Sequence, residues 1–161
     1  MRFVLSHTIL AMDAIPEAPH VAQGWVPEPT RSSERGLKTV LIADDSASGR
    51  ELLRIVIEMS GYGVVEAVDG RETIDEAKRN RPDLIILELL LPHIDGFAVI
   101  RELHDVPRLA FVPVIALTSC AMVGDRERAM NAGFAGYLTK PTGLATLRSE
   151  VARHLFVPRA A

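Results

Sequence analysis

Short apolar runs alternate with amphipathic stretches five times between Leu37 and Phe156, and few folds satisfy that rhythm. The runs are Val40–Ala43, Val64–Ala67, Leu84–Leu87, Val114–Leu117 and Gly136–Thr139. They are too short for helices, and most lack polar alternation, so they read as strands buried on both faces. Helical spacing fills the gaps. Ser46–Ser60 carries Leu52, Val56 and Met59 on its expected inner face, with Arg50, Arg54 and Glu58 opposite. Gly70–Asn80 turns Ile74 and Ala77 inward, Asp95–Asp105 uses Phe97, Ile100 and Leu103, and Met122–Ala132 places Met122 and Met130 against the sheet. Leu144–Phe156 is the last helix. Gly61, Arg81-Pro82 and Gly133 are stop signals. This order predicts a (βα)5, doubly wound, five-stranded parallel α/β sheet with right-handed crossovers and helices on both faces.

At 161 residues the chain has room for one domain with a substantial core. That domain is expected over 37–157, with a tail at 158–161. Residues 1–36 hold Pro16, Pro19, Pro27 and Pro29 without periodicity and read as a flexible arm, inert or a docking peptide around Trp25. Its first twelve residues lack a small-residue cleavage site and are not expected to be a signal; Met12 is an alternative start. A net charge of −3 offers no general attraction for nucleic acid or anionic membrane. No run is long enough to span a bilayer. Cys120, the single cysteine, permits no internal disulfide and fits a packing role in a reducing, cytoplasmic setting.

Chemistry concentrates where the strands end. The carboxyl ends of an open parallel sheet form its ligand crevice. Asp44-Asp45, Glu88, Thr118 and Lys140-Pro141 follow four of the runs directly. One acid and Ser46 would suffice to cap a helix, so a doubled acid exceeds what capping needs. Paired carboxylates with water and phosphate oxygens suit magnesium. Lys140 at the crevice can balance phosphoryl charge. Thr118 is by itself an ordinary strand residue, and its hydroxyl gains interest from the company it keeps. His93 and His104 share no ligand spacing and are expected to face solvent.

From Leu37 to about Phe156 these residues resemble the receiver domains of response regulators, the CheY-like and flavodoxin-like fold. The run Ala116-Leu117-Thr118 to Met122-Val123-Gly124-Asp125 is similar to single-domain, DivK-type members. The resemblance implies a stand-alone receiver in a phosphorelay, acting by protein contact rather than as an enzyme. Its partners would be a histidine kinase, a phosphotransfer protein or a downstream effector, and it would be a monomer or weak dimer. It implies Mg²⁺ held by Asp44, Asp45, the phosphoacceptor side chain at position 88 and the main-chain carbonyl of Leu90. It further implies Thr118 and Tyr137 as switch residues, Lys140 as the phosphoryl partner, and Pro92 with Asp95-Gly96 as the loop after the third strand. The fourth helix, with Arg126, Glu127 and Arg128, the Tyr137 strand and the final helix would together form the partner-binding face.

The departure is Glu88, where the family places an aspartate. One added methylene moves the carboxylate about 1.5 Å from its strand, and misplacement by an ångström can cost ~10²-fold in transfer. This argues against efficient phosphorylation of Glu88. Two readings stand. Either Glu88 reaches Lys140 and Thr118 and partly mimics the phosphoryl charge, or it occupies the pocket of a constitutive binding scaffold without metal or phosphoryl chemistry. An enzyme is the weakest class, for there is no D-x-D nucleophile motif, Walker loop or dinucleotide fingerprint.

Overall fold

The computed structural model describes residues 36–119 and 121–156. The readings made for residues 1–35, Trp25, Cys120 and the C-terminal tail lie outside them. Ten elements follow in strict alternation: β1 Thr39–Ala43, α1 Ala47–Met59, β2 Gly63–Ala67, α2 Gly70–Asn80, β3 Leu84–Leu87, α3 Gly96–His104, β4 Val114–Thr118, α4 Asp125–Asn131, β5 Gly136–Thr139 and α5 Leu144–Leu155. The strands form one sheet in the order β2-β1-β3-β4-β5, every pair parallel. This is the doubly wound fold expected from the sequence.

Alternate strand residues point to opposite faces, and the core divides accordingly. Leu41, Ala43, Ile85, Leu87, Val114 and Ala116 pack with Ile74 and Ala77 of α2, Val99, Ile100 and Leu103 of α3, and Ala129 of α4. Val40, Ile42, Leu84, Ile86, Ile115 and Leu117 pack with Leu53, Val56 and Ile57 of α1 and Leu147, Val151 and Leu155 of α5. Burial on both faces explains the unbroken apolar runs of the central strands.

The starts of α1, α2 and α3 follow local side-chain chemistry. Ser46 Oγ accepts from the Gly49 N–H, Asp69 Oδ1 from Glu72 and Asp95 Oδ1 from Ala98, each satisfying an amide that the first turn leaves free. Glu72 Oε2 accepts in return from the Val68 N–H at 2.7 Å. Arg81 closes α2 with a left-handed φ of 48°, and Pro82 forbids continuation.

Three expectations need correction. Leu52 and Met59 do not face the core; they are 54% and 79% exposed, and Leu53 and Ile57 pack with Val56 instead. Two interleaved apolar stripes satisfy helical spacing here. Docking against β1 and α5 selects between them. The fourth helix begins at Asp125, not Met122, because Gly124 sits at φ 89° and the Met122 N–H is taken by Asp125 Oδ2. Met122 and Met130 are consequently 70% and 42% exposed rather than packed on the sheet.

Candidate functional site

Register brings the strand ends level. Ala43 pairs with Leu87, so Asp44 and Glu88 leave adjacent strands side by side, and the Glu88 N–H donates to the Ala43 carbonyl at 2.9 Å. Thr118 pairs with Thr139, which sets Lys140 beside Thr118; the Lys140 N–H donates to the Thr118 carbonyl at 2.8 Å. The Lys140-Pro141 peptide is cis. Asp44, Glu88, Thr118 and Lys140 therefore meet at one edge, as the sequence predicted.

Glu88 is the centre of the cluster and is only 4% exposed. Its Oε1 accepts from the N–H groups of Leu89 and Leu90 at 2.8 and 3.2 Å. Its Oε2 accepts from Lys140 Nζ at 3.0 Å, and from the Ser119 N–H and Oγ at 3.2 and 3.3 Å. The Thr118 hydroxyl also donates to this carboxylate. Both oxygens are thus engaged by protein donors. Burial alone would push the Glu88 carboxyl up. The bonds from Thr118, Lys140 and Leu90, with the lysine charge, outweigh it and hold the group below the usual carboxylate value.

Lys140 Nζ also donates to buried Asp44 Oδ2 at 2.5 Å. Burial opposes its charge, but Asp44 and then Glu88 more than offset this, so the ammonium keeps its proton above the ordinary lysine value. Asp44 Oδ1 accepts from the Ser46 N–H at 2.9 Å, whereas Asp45 stands exposed at the rim. Leu90 is exposed beside them. Among the described residues, no group of three or more His, Cys, Asp or Glu side chains is arranged to hold a metal. A cation here would rely on Asp44 and Asp45 together with main-chain oxygen and water.

The loop after β3 is shaped by close backbone approach. Gly96 donates its N–H to the Leu89 carbonyl at 2.9 Å, and a Cβ there would lie 2.9 Å from the Glu88 carbonyl oxygen. Only glycine lets α3 begin so near the cluster. Tyr137 is buried on β5 among the residues of the α2–α3–α4 face, and its carbonyl accepts from Arg126 of α4 at 3.2 Å. Arg128 lies 4.4 Å over the Phe97 ring. His93 and His104 are exposed, as expected.

Two residues escaped the sequence reading. Ser119 supplies two of the donors to Glu88; a hydroxyl doublet, Thr118-Ser119, at a strand end was the available signal. Arg50 was assigned to an outer polar face, yet its side chain is only 15% exposed and NH1 donates to the main-chain carbonyls of Asp44 and Asp45. No periodicity marks that contact.

Comparison with known proteins agrees with this geometry. Residues 40–152 match the response regulator receiver domain family. The polar-differentiation response regulator DivK of Brucella anthropi is 36% identical over 118 residues, spanning 73% of this chain and 96% of that protein. DivK of Brucella ovis is equally similar. Among solved structures, the chemotaxis protein CheY4 of Vibrio cholerae superposes with a TM-score of 0.70 at 30% identity, over 74% of this chain and all of that one. The receiver domain of the sensor histidine kinase PA1611 from Pseudomonas aeruginosa, solved with magnesium coordinated in its active site cleft, gives 0.69 at 32% identity, over 74% and 98% of the two chains.

Proposed function

This chain belongs to the response regulator receiver domain family of two-component signalling, and from that premise we propose that Glu88 makes it a receiver working without phosphorylation. The observation that carries this reading is the hydrogen bonding of Glu88. Its carboxylate collects the Lys140 ammonium, the Thr118 hydroxyl and both donors of Ser119. These groups converge on one anion, and the anion is already part of the chain. A carboxylate brings less charge and fewer acceptor oxygens than a phosphoryl group, so the resulting state is partly active-like.

Signalling then passes through protein contact, with a histidine kinase, a phosphotransfer protein or an effector as partner, and with no chemical turnover by this domain. A cytoplasmic setting suits that role; among the described residues no helix is long and apolar enough to cross a membrane. Thr118 and buried Tyr137 serve as the switch pair, and α4, β5 and α5 as the contact face.

The oxygen donors of Asp44, Asp45 and the Leu90 carbonyl fit Mg²⁺ in kind, since that ion takes one or two carboxylates and keeps several waters. Glu88 joins them only by releasing one of its present hydrogen bonds. When bound, the ion supplies positive charge beside the carboxylates. The second reading, a scaffold without metal, is favoured by one observation: Lys140 already places an internal cation on Asp44 Oδ2.

Intact-mass spectrometry after incubation with acetyl phosphate and MgCl₂ tests the proposal. The native chain is expected to gain no phosphoryl group and Glu88→Asp to gain one. Phosphorylation of the native chain would overturn it. Amide exchange across 118–125 is expected to quicken in Glu88→Ala, and equal exchange would refute the active-like state. If magnesium leaves the melting temperature of both the native chain and Asp45→Ala unchanged, the metal-free scaffold replaces the switch.

A further inference from the structure

An arginine in the first turns of a helix is electrostatically misplaced, because the positive end of the helix dipole lies there. Arg50 holds such a position in α1, and it is largely buried. Its contacts explain why. NH1 donates to the Asp44 carbonyl at 2.8 Å and to the Asp45 carbonyl at 3.3 Å, and Nε donates to Glu66 Oε2 on β2 at 3.3 Å. Asp44 gives the last ladder bond of its strand, from its N–H to the Ala67 carbonyl at 3.2 Å. Beyond it the chain turns into α1, and the two acidic residues offer their carbonyls to the guanidinium rather than to a neighbouring strand.

We infer that Arg50 is the positioning residue of the acidic pair: braced by Glu66, it fixes the Asp44–Asp45 main chain and thereby sets the affinity of the two carboxylates for a divalent cation. The inference rests on the reading of Asp44 and Asp45 as Mg²⁺ donors. Main-chain direction decides where a short aspartate can point. Here it sends Asp44 inward, where Oδ1 meets the Ser46 N–H and Oδ2 meets Lys140, and leaves Asp45 at the rim. Gly49 completes the arrangement, since a Cβ there would stand 3.0 Å from Asp44 Oδ2. Glu66 also pairs with Arg54, whose Nε lies 3.3 Å from Oε1, an exposed ion pair separate from the Oε2 bond that braces Arg50. Of the two arginines, only Arg50 has hydrogen bonds to the carbonyls of the pair.

Charge and position predict opposite signs, which makes the inference testable. A guanidinium beside the pair repels a second cation, so a purely electrostatic Arg50 would weaken magnesium binding. Removing it would then strengthen binding, and Arg50→Lys would change nothing. Positioning predicts the reverse. A lysine keeps the charge but lacks the planar fork that reaches carbonyls and carboxylate together. Residues that orient metal ligands typically cost 10–100-fold in affinity when replaced.

The experiment titrates the full chain with MgCl₂ by calorimetry, comparing the native protein with Arg50→Lys, Arg50→Met and Arg54→Lys. The expected result is a dissociation constant raised about tenfold or more in both Arg50 variants, with Arg54→Lys close to native. Native affinity in Arg50→Lys, or tighter binding in Arg50→Met, would overturn the inference. If the native chain itself takes up no magnesium, the cation reading of the pair fails. The bracing is then decided separately by amide exchange at Ser46, whose N–H reports the Asp44 carboxylate. Faster exchange in Arg50→Lys than in Arg54→Lys supports the brace, and equal rates refute it.

Discussion

Replacing Lys140 by methionine removes an ammonium shared by two buried carboxylates, and its cost can be worked from the geometry. At 3.0 Å from Glu88 Oε2, a unit pair in an effective dielectric near 20 attracts by about 5.5 kcal/mol. Desolvation of the lysine and both acids consumes much of this. Breaking a buried pair by removing one partner costs about 3–5 kcal/mol. The lower end applies here, because Lys140 keeps 25% side-chain exposure and Glu88 retains Thr118, Ser119, Leu89 and Leu90 as donors. We therefore expect Lys140→Met to lose about 3 kcal/mol at neutral pH, read by urea unfolding with far-UV circular dichroism.

The pH dependence carries the stronger test. Native Glu88 titrates below its ordinary 4.5, so its stabilisation is complete above that value and is lost as pH falls through the folded-state value. Without Lys140 the downward shift shrinks. The stability gap between the two proteins should then narrow on acidification below 4.5. At the other limit, native Lys140 titrates above 10.5, so its contribution is full below that value and fades as pH rises through the folded-state value. A double-mutant cycle with Glu88→Gln should return a coupling of about 1.5–3 kcal/mol, the range of hydrogen bonds to charged groups. A gap that stays constant as pH falls through 4.5, or a coupling near zero, would refute the account of Glu88 as the lysine's partner.

Further outcomes follow from packing and caps. Leu53→Ala should cost about 2–5 kcal/mol while Leu52→Ala stays within about 0.5 kcal/mol; similar losses at both sites would restore the stripe predicted from sequence. Gly70→Ala would set a Cβ 2.1 Å from the Ile94 carbonyl oxygen, a backbone clash, whereas at Gly136 the nearest atom is the movable end of Glu150. Thermal melts should accordingly show a loss of about 1–3 kcal/mol at Gly70 and a smaller one at Gly136. Asp69→Ala should cost about 1 kcal/mol through the lost α2 cap, and an unchanged urea midpoint would show that cap to be idle.

Legibility tracked the range of the interaction concerned. Strand identity was local, because β1, β3 and β4 are covered on both faces and their apolar runs could carry no other pattern. Stops at Gly61, Arg81-Pro82 and Gly133 were equally local, each needing only its own backbone preference. Parallel topology followed from alternation, and with it the meeting of Asp44, Glu88, Thr118 and Lys140, since every strand of such a sheet ends on the same edge. What lay outside the sequence was phase and reach. The apolar residues of α1 fit either of two stripes one residue apart, and only docking against β1 and α5 chose Leu53 and Ile57 over Leu52 and Met59. Met122 and Met130 looked like core because hydrophobicity does not report where a helix starts; Gly124 and Asp125 set that start. The length of Glu88 was visible, but its use of Ser119 depends on β4 pairing beside β3, which brings the residue after one strand within reach of the residue after the other. Arg50 read as a surface charge, and only the crossing of α1 over β2 placed Glu66 and two strand-end carbonyls within reach of its guanidinium.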